Sequence, residues 1–373
     1  MRAFTLHGGG PFHRVLARLH LIRDDGTIRV VWLACLAWAP LAFGLLSADP
    51  ILSDPSVHVR LFVALPAMLI SERLLSTACR SAIESLYVGS FADHAALDRI
   101  VERGERLRDA RWPEAIILAI AIAGGQLALW NVTGPTGFFH AAPGPGGWSI
   151  ARVWYAVIAL PLAQFVMIRW AWRWTIWSYM LVRLWRLPLH PLATHPDFAA
   201  GLACLSRPLS GFIGYAFACG SILAAAWEAQ ALAGRTTPRE HLNELLVFVV
   251  AATAFAVAPM LPFCGVLFRT RRRGMAQYGD FAIEYVRGFH AKWIEPPVAG
   301  SEALGSSDIQ SLADLGNAYR VVATTRLFVF GVRPVLAVWV GALLPMIPLL
   351  LNAVSVEHLL GHIVKAILGG LPI

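Results

Sequence analysis

Residues 152–172 read Arg-Val-Trp-Tyr-Ala-Val-Ile-Ala-Leu-Pro-Leu-Ala-Gln-Phe-Val-Met-Ile-Arg-Trp-Ala-Trp. No charged residue falls between Arg152 and Arg169. A helix of about 20 apolar residues crosses the roughly 30 Å hydrocarbon core of a bilayer. This stretch has that length and that composition. Six further runs share it: approximately 29–47, 59–77, 113–131, 208–230, 244–268 and 327–351.

The whole chain agrees with this reading. Over its 373 residues, 57% are hydrophobic and 14% charged, and the mean hydropathy is +0.60. An average soluble protein is about 25% charged. A soluble chain this apolar could not cover its own surface. A soluble enzyme, a disordered protein and a secreted disulfide scaffold are therefore set aside. The five cysteines (Cys35, Cys79, Cys204, Cys219, Cys264) are scattered, form no CxxC, and imply neither a disulfide framework nor a zinc site. The first run has no convincing small-residue cleavage site after it and reads as a retained span.

The net charge of +8 first raises the question of nucleic acid. Its distribution answers it. With the N-terminus inside, the segments 1–29, 72–111, 169–207 and 269–326 hold 25 of the 31 Lys and Arg residues. The outer segments and helix ends hold Arg60, Arg152, Arg235, Arg239 and Lys365. That is a strong positive-inside pattern. It predicts an odd number of spans, N-in and C-out. The basic charge then reflects orientation and attraction to anionic lipid headgroups, with no nucleic acid partner. The expected fold is all-α: a polytopic transmembrane bundle of about seven spans with amphipathic cytoplasmic helices.

Around the spans, residues 1–28 form a cytoplasmic N-terminal segment. Cytoplasmic segments follow at 78–112, 173–207 and 269–326. Leu97, Ile100, Val101 and Leu107 share one helical face, and Glu102 and Arg106 form an i,i+4 pair. Phe281, Tyr285, Phe289 and Trp293 recur at four-residue spacing. Ser307-Asp308-Ile309-Gln310 has the form of a capping box. Residues 352–373 read as an interfacial amphipathic helix with His358, His362 and Lys365 on its polar face. Asn131-Val132-Thr133 matches the glycosylation triplet in an outer loop.

Few residues remain on which chemistry could rest. Prolines sit near the middle of five spans: Pro40, Pro66, Pro161, Pro259 with Pro262, and Pro345 with Pro348. Each removes a backbone hydrogen bond and kinks its helix. Two share the tripeptide Ala-Leu-Pro, at 64–66 and 159–161. Broken helices around a cavity are a transporter feature; simple bending for packing is the plainer reading.

Glu72 and Gln164 lie at matching depths, roughly 18 Å into their spans from Arg60 and Arg152. Arg169 and Arg173 share a helix face one turn apart. Intramembrane charge is costly and marks a candidate site. Glu72, Gln164, Arg169 and Arg173 therefore form the substrate or cavity candidates. Against this, Glu72 and Arg73 would instead mark the inner end of a shorter span, in the headgroups. Glu114 and Glu228, nearer span ends, are weaker candidates. The tryptophans Trp170, Trp172, Trp174, Trp177 and Trp185, interleaved with arginines, read as an interfacial belt or a stacking site.

His190, His195 and Asp197 are an alternative metal-ligand set for zinc or iron. The same stretch also reads as a helix start, with Thr194 as N-cap and Asp197 reaching back. His358 and His362 are spaced like ligands but lack a third. No Walker A loop, dinucleotide fingerprint or GxSxG elbow is found, and no cofactor is expected.

Two segments, Ala193-Thr194-His195-Pro196-Asp197 and Gly305-Ser306-Ser307-Asp308-Ile309-Gln310-Ser311-Leu312-Ala313-Asp314-Leu315-Gly316-Asn317, together resemble a group of uncharacterised bacterial polytopic inner-membrane proteins. The similarity extends over residues 29–351. One local departure is that Phe198-Ala199-Ala200, rather than glycine, follows His-Pro-Asp. The resemblance implies a bacterial inner membrane and no particular activity.

The sequence thus leads first to a permeation or transport protein with a small polar cavity between kinked helices. Second is a scaffold or signalling protein that binds a protein partner at its cytoplasmic face. Third is a membrane-bound metal enzyme. Homo-oligomerisation is left open.

Overall fold

The computed structural model describes residues 4–6, 8–22, 29–47, 52, 54–130, 149–232, 234, 236–295 and 307–349. The triplet Asn131–Thr133, the segment 352–373 with His358 and His362, and Gly305-Ser306 lie outside these residues.

The helices run in order as α1 (Gly10–Arg18), α2 (Val30–Gly44), α3 (Pro55–Val88), α4 (His94–Asp109), α5 (Arg111–Trp130), α6 (Ile150–Trp185), α7 (Ala203–Leu232), α8 (Arg239–Met260), α9 (Phe263–Trp293), α10 (Ser307–Ala323) and α11 (Val332–Leu349). The fold is all-α. Among the described residues five helices, α3, α6, α7, α8 and α11, are long and apolar enough to cross a membrane, and α2 is a shorter apolar helix. The expected run at 113–131 falls on α5, a helix of 20 residues.

Helix α7 is the centre of the bundle, with α3 on one side and α11 on the other. Its glycines allow the approach. A Cβ on Gly211 would lie 2.7 Å from the Leu75 backbone, and one on Gly220 would lie 2.5 Å from the Ala342 carbonyl oxygen. Close backbone packing of this kind is what holds helices together where lipid supplies no hydrophobic force between them. Helix α8 is peripheral, with Leu246, Val247 and Val250 exposed, as suits a lipid-facing helix. Helices α9 and α10 form a hairpin tied at its far end, where Asp308 accepts from Lys292 Nζ (2.5 Å) and Trp293 Nε1 (3.1 Å).

The prolines reshape their helices in two ways. In α3, residues Arg60–Ala64 form a π turn immediately before Leu65-Pro66. In α6, Tyr155–Ala159 do the same before Leu160-Pro161. Both helices start with a side-chain cap, Asp54 on Ser56 N and Ser149 on Arg152 N. Both then run five α residues, five π residues and Leu-Pro. The widened turn makes room for the proline ring, which clashes with the carbonyl four residues back in a regular helix. The shared tripeptide is thus the visible part of a longer shared device. Its two copies touch, since the Arg60 guanidinium donates to the Tyr155 hydroxyl.

Elsewhere a neighbour satisfies the carbonyl that proline leaves without a donor. Pro259 cannot donate to Phe255 O, and Trp174 Nε1 does so at 2.9 Å. Trp174→Phe removes this part-buried hydrogen bond and is expected to destabilise the protein by about 1 kcal/mol. Unfolding of the purified protein in detergent checks this; a wild-type midpoint would show that another donor serves Phe255.

This corrects the reading of the tryptophans as a belt. Helix α6 continues past 172 to Trp185, and Trp170, Trp174 and Trp177 are fully buried among α4, α7 and α8. Trp170 stacks on Tyr215 with ring centroids 4.0 Å apart. Only Trp185 is well exposed in this group. The helical faces expected between the spans appear in part. Leu97, Ile100 and Val101 are buried on one face of α4, and Glu102 pairs with Arg106 at 2.9 Å. The capping box at 307–310 does not close on itself; Gln310 turns forward to Asp314 (3.0 Å).

Candidate functional site

The polar residues of α3, α5 and α6 meet in one place. Helix α6 carries Arg169 and Arg173 one turn apart, both on its buried side. Arg169 Nη1 reaches both Glu72 oxygens, at 2.7 and 2.6 Å. Its Nε donates to Glu114 Oε1 at 3.2 Å. Arg173 Nη2 lies 3.3 Å from the same Glu114 oxygen, and its Nε lies 3.6 Å from Glu72 Oε1. All four residues are at most 4% exposed. Two carboxylates face two guanidiniums, so the cluster is formally neutral. The Glu72 side chain is therefore held inside the bundle, whereas its neighbour Arg73 is exposed.

The N-terminal segment closes over this cluster. Phe12 N donates to Glu114 Oε2 (2.7 Å), and Leu6 N donates to Ser76 Oγ (2.8 Å). Arg173 donates to the carbonyls of Arg108 (3.1 Å) and Gly9 (3.4 Å). Phe4 and Leu6 are buried. The Phe12 ring lies against the Arg169 guanidinium, 5.1 Å from centroid to Cζ. Gly9 and Gly10 make the approach possible. Their φ values are +124° and +85°, a region L side chains rarely adopt, and a Cβ on Gly10 would sit 2.6 Å from Glu114 Oε1.

Of the four expected cavity residues, the structure joins Glu72, Arg169 and Arg173. Gln164 is not among their hydrogen-bond partners; its Oε1 is buried with no partner. Glu114, ranked lower by its place near a span end, completes the cluster instead. The place that reads as a polar cavity is filled by the four charges themselves. The space beside it is a groove of about 560 Å³ between α1, α5 and α6, with an apolar lining except for Arg111 and Glu114.

His190, His195 and Asp197 lie in the loop between α6 and α7. No helix begins at Thr194, which corrects the capping reading. Asp197 organises the loop instead. Its carboxylate accepts from the backbone N–H groups of Ala199 (2.8 Å), Gly201 (3.0 Å) and Ala203 (3.0 Å), and His195 Nδ1 lies 2.9 Å away. These bonds hold Phe198 and Ala200 at φ +55° and +54°, where glycine is usual. His190 is tied through its backbone N–H to Phe91 O (2.8 Å), and Arg326 N donates to Phe198 O (2.7 Å). Both Asp197 oxygens are thus occupied by the backbone. Among the described residues no group of three or more His, Cys, Asp or Glu gathers to hold a metal.

Burial raises the pKa of Asp197, but the backbone donors and His195 outweigh it and hold the carboxyl below its ordinary value. A carboxyl with a lowered folded pKa stabilises the fold above the unfolded value of about 4. That contribution is lost as pH falls through the lower folded value. Asp197→Asn is expected to cost about 1–2 kcal/mol at neutral pH and to flatten the acid limb of the stability profile. Unfolding midpoints between about pH 2 and pH 5 test it; an unchanged acid limb would assign the dependence to other groups.

The fold defines a helical protein with five candidate membrane spans and a buried ionic cluster between three of its helices. No family model, curated protein or solved structure matches the chain.

Proposed function

We propose that the chain is a permeation or transport protein in a closed state, and that Glu72, Glu114, Arg169 and Arg173 form its latch. The observation that carries this reading is the burial of a neutral four-charge cluster at the meeting of α3, α5 and α6. Buried ion pairs are poor stabilisers, because apolar residues of similar size often do as well or better. They are suited to specifying one arrangement of helices over another. The π turns before Pro66 and Pro161 lie on the two helices that carry Glu72 and both arginines. They supply the places where those helices can bend.

The same proposal includes seven crossings with the N-terminus inside, a bacterial inner membrane, and kinship with the group that segments 193–197 and 305–317 resemble. The test is uptake by proteoliposomes of radiolabelled inorganic anions and amino acids. Protein-dependent uptake should appear for at least one solute and change at least about tenfold in Glu72→Gln or Arg169→Lys, the loss expected when about 1.4 kcal/mol of gating energy moves. Uptake equal to that of protein-free vesicles, or unaltered by both changes, removes the latch.

A second reading rests on the α9–α10 hairpin, where Phe281, Ile283, Val286 and Ile309 are exposed. It would bind a protein partner there. Crosslinking that recovers a partner from wild type but not from Phe281→Ser would favour it over transport.

A further inference from the structure

We infer that the groove between α1, α5 and α6 is a binding site for one acyl chain of an anionic phospholipid, with its phosphate held at the α1 end. Pro11, Phe12, Val15, Leu118, Ile122 and Phe165 give it apolar walls. Its volume of about 560 Å³ is that of a small-molecule site. From Arg111 to Ile122 it follows α5 for roughly 17 Å, about half the thickness of a bilayer core. Exposed Ile116, Leu118, Ile120 and Ile122 make it continuous with the surface that lipid tails would cover.

Charge selects the headgroup. Among the described residues, the acidic groups at this end are already neutralised: Glu114, which lines the groove, by Arg169 and Arg173, and Asp109, beside Gly9, by Arg108 at 2.7 Å. Arg111 is exposed and has no ion-pair partner among the described residues; the same holds for Arg14 and Arg18 of α1. Helix α1 contains no acidic residue and leaves Val15 and Leu19 exposed beside its arginines. Apolar walls beside the unpaired Arg111 guanidinium, with the exposed arginines of α1 on the adjoining helix, fit a phosphate monoanion on an acyl chain. A zwitterionic headgroup would bring a second cation to that mouth. The N-terminal segment would then be clamped from both sides, by the ionic cluster and by the lipid.

The test uses the full chain in neutral detergent, titrated with phosphatidylglycerol and phosphatidylcholine of equal chain length and read by native mass spectrometry. Phosphatidylglycerol should bind at least about fivefold more tightly, and Arg111→Gln should remove most of that preference. Leu118→Trp, on an exposed position that tolerates bulk, should block binding of both lipids by filling the groove. Val250→Trp, on the lipid-facing side of α8, should leave binding unchanged. Equal affinity for the two lipids overturns the inference. So does wild-type binding in Leu118→Trp, or an equal loss in Val250→Trp. Flux need not be known for this measurement, so its failure and that of the transport reading are separable.

Discussion

Arg169→Ala is expected to destabilise the protein by about 3–5 kcal/mol, the cost of leaving a buried charge without its partner. Arg169 is the only residue that contacts both Glu72 oxygens at hydrogen-bond distance among the described residues. Without it, Glu72 keeps only Arg173 Nε at 3.6 Å. Glu114 is less affected, because Phe12 N and Arg173 still reach it. The loss should therefore be asymmetric. Adding Glu72→Gln to Arg169→Ala should recover part of the stability, because it removes the uncompensated carboxylate. Adding Glu114→Gln should recover less. Arg169→Lys should fall between wild type and Ala, because an ammonium cannot present the same fork of donors to two carboxylates. Equilibrium unfolding in detergent checks the series. A loss under about 1 kcal/mol for Arg169→Ala would mean that water reaches the cluster, since exposed ion pairs are worth no more than that.

The second large effect is steric. Gly211→Leu is expected to destabilise by more than about 3 kcal/mol, at or above the upper range for overpacking. The reason is what the new side chain meets. Its first carbon would lie within 2.7 Å of Leu75 Cβ, Cα and N at once, and backbone cannot swing aside as a side chain can. Helices α3 and α7 would have to separate, and α3 carries Glu72. Gly316→Ala is the control. Nothing lies within 4 Å of a Cβ there, so the change should be neutral or stabilise by up to about 1 kcal/mol through helix propensity. Melting temperature and the size-exclusion profile read both variants. A Gly211→Leu protein that melts and elutes like wild type would disprove the α3–α7 packing described.

Individual residues show how much was legible beforehand. Counting depth from Arg60 and Arg152, and helical spacing between Arg169 and Arg173, picked out three of the four cluster residues, because rise and turn per residue are properties of any helix. The same count could not separate Glu114 from an ordinary span-end carboxylate. Its partners lie 55 and 59 residues away on α6, and nothing in local periodicity records which helices are neighbours. Gln164 shows the reverse error. Its depth matched that of Glu72, but depth says nothing about which side of a packed helix a residue faces. The loop at 193–197 misled in another way. Thr-His-Pro-Asp has the residue types of a cap and of a metal site, yet Asp197 serves the backbone of its own loop.

The tryptophans mark the same boundary. A Trp- and Arg-rich stretch at the end of an apolar run has the composition of a membrane interface. Its burial depends on α4, α7 and α8 closing around it, and on a carbonyl freed by a proline 85 residues later that Trp174 can serve.

What the amino-acid sequence determined by itself is everything that scales with local composition. That includes the helical class, the apolar runs long enough to cross a membrane and where prolines interrupt them. Solvation of each segment depends on its own side chains and its own backbone, so these features need no knowledge of neighbours. Tertiary structure decided which charges neutralise each other, what covers them, and which side of each helix is buried. Those outcomes depend on distances between residues remote in the chain. An ion pair or a glycine contact works only within a few ångströms, a range that helix packing sets.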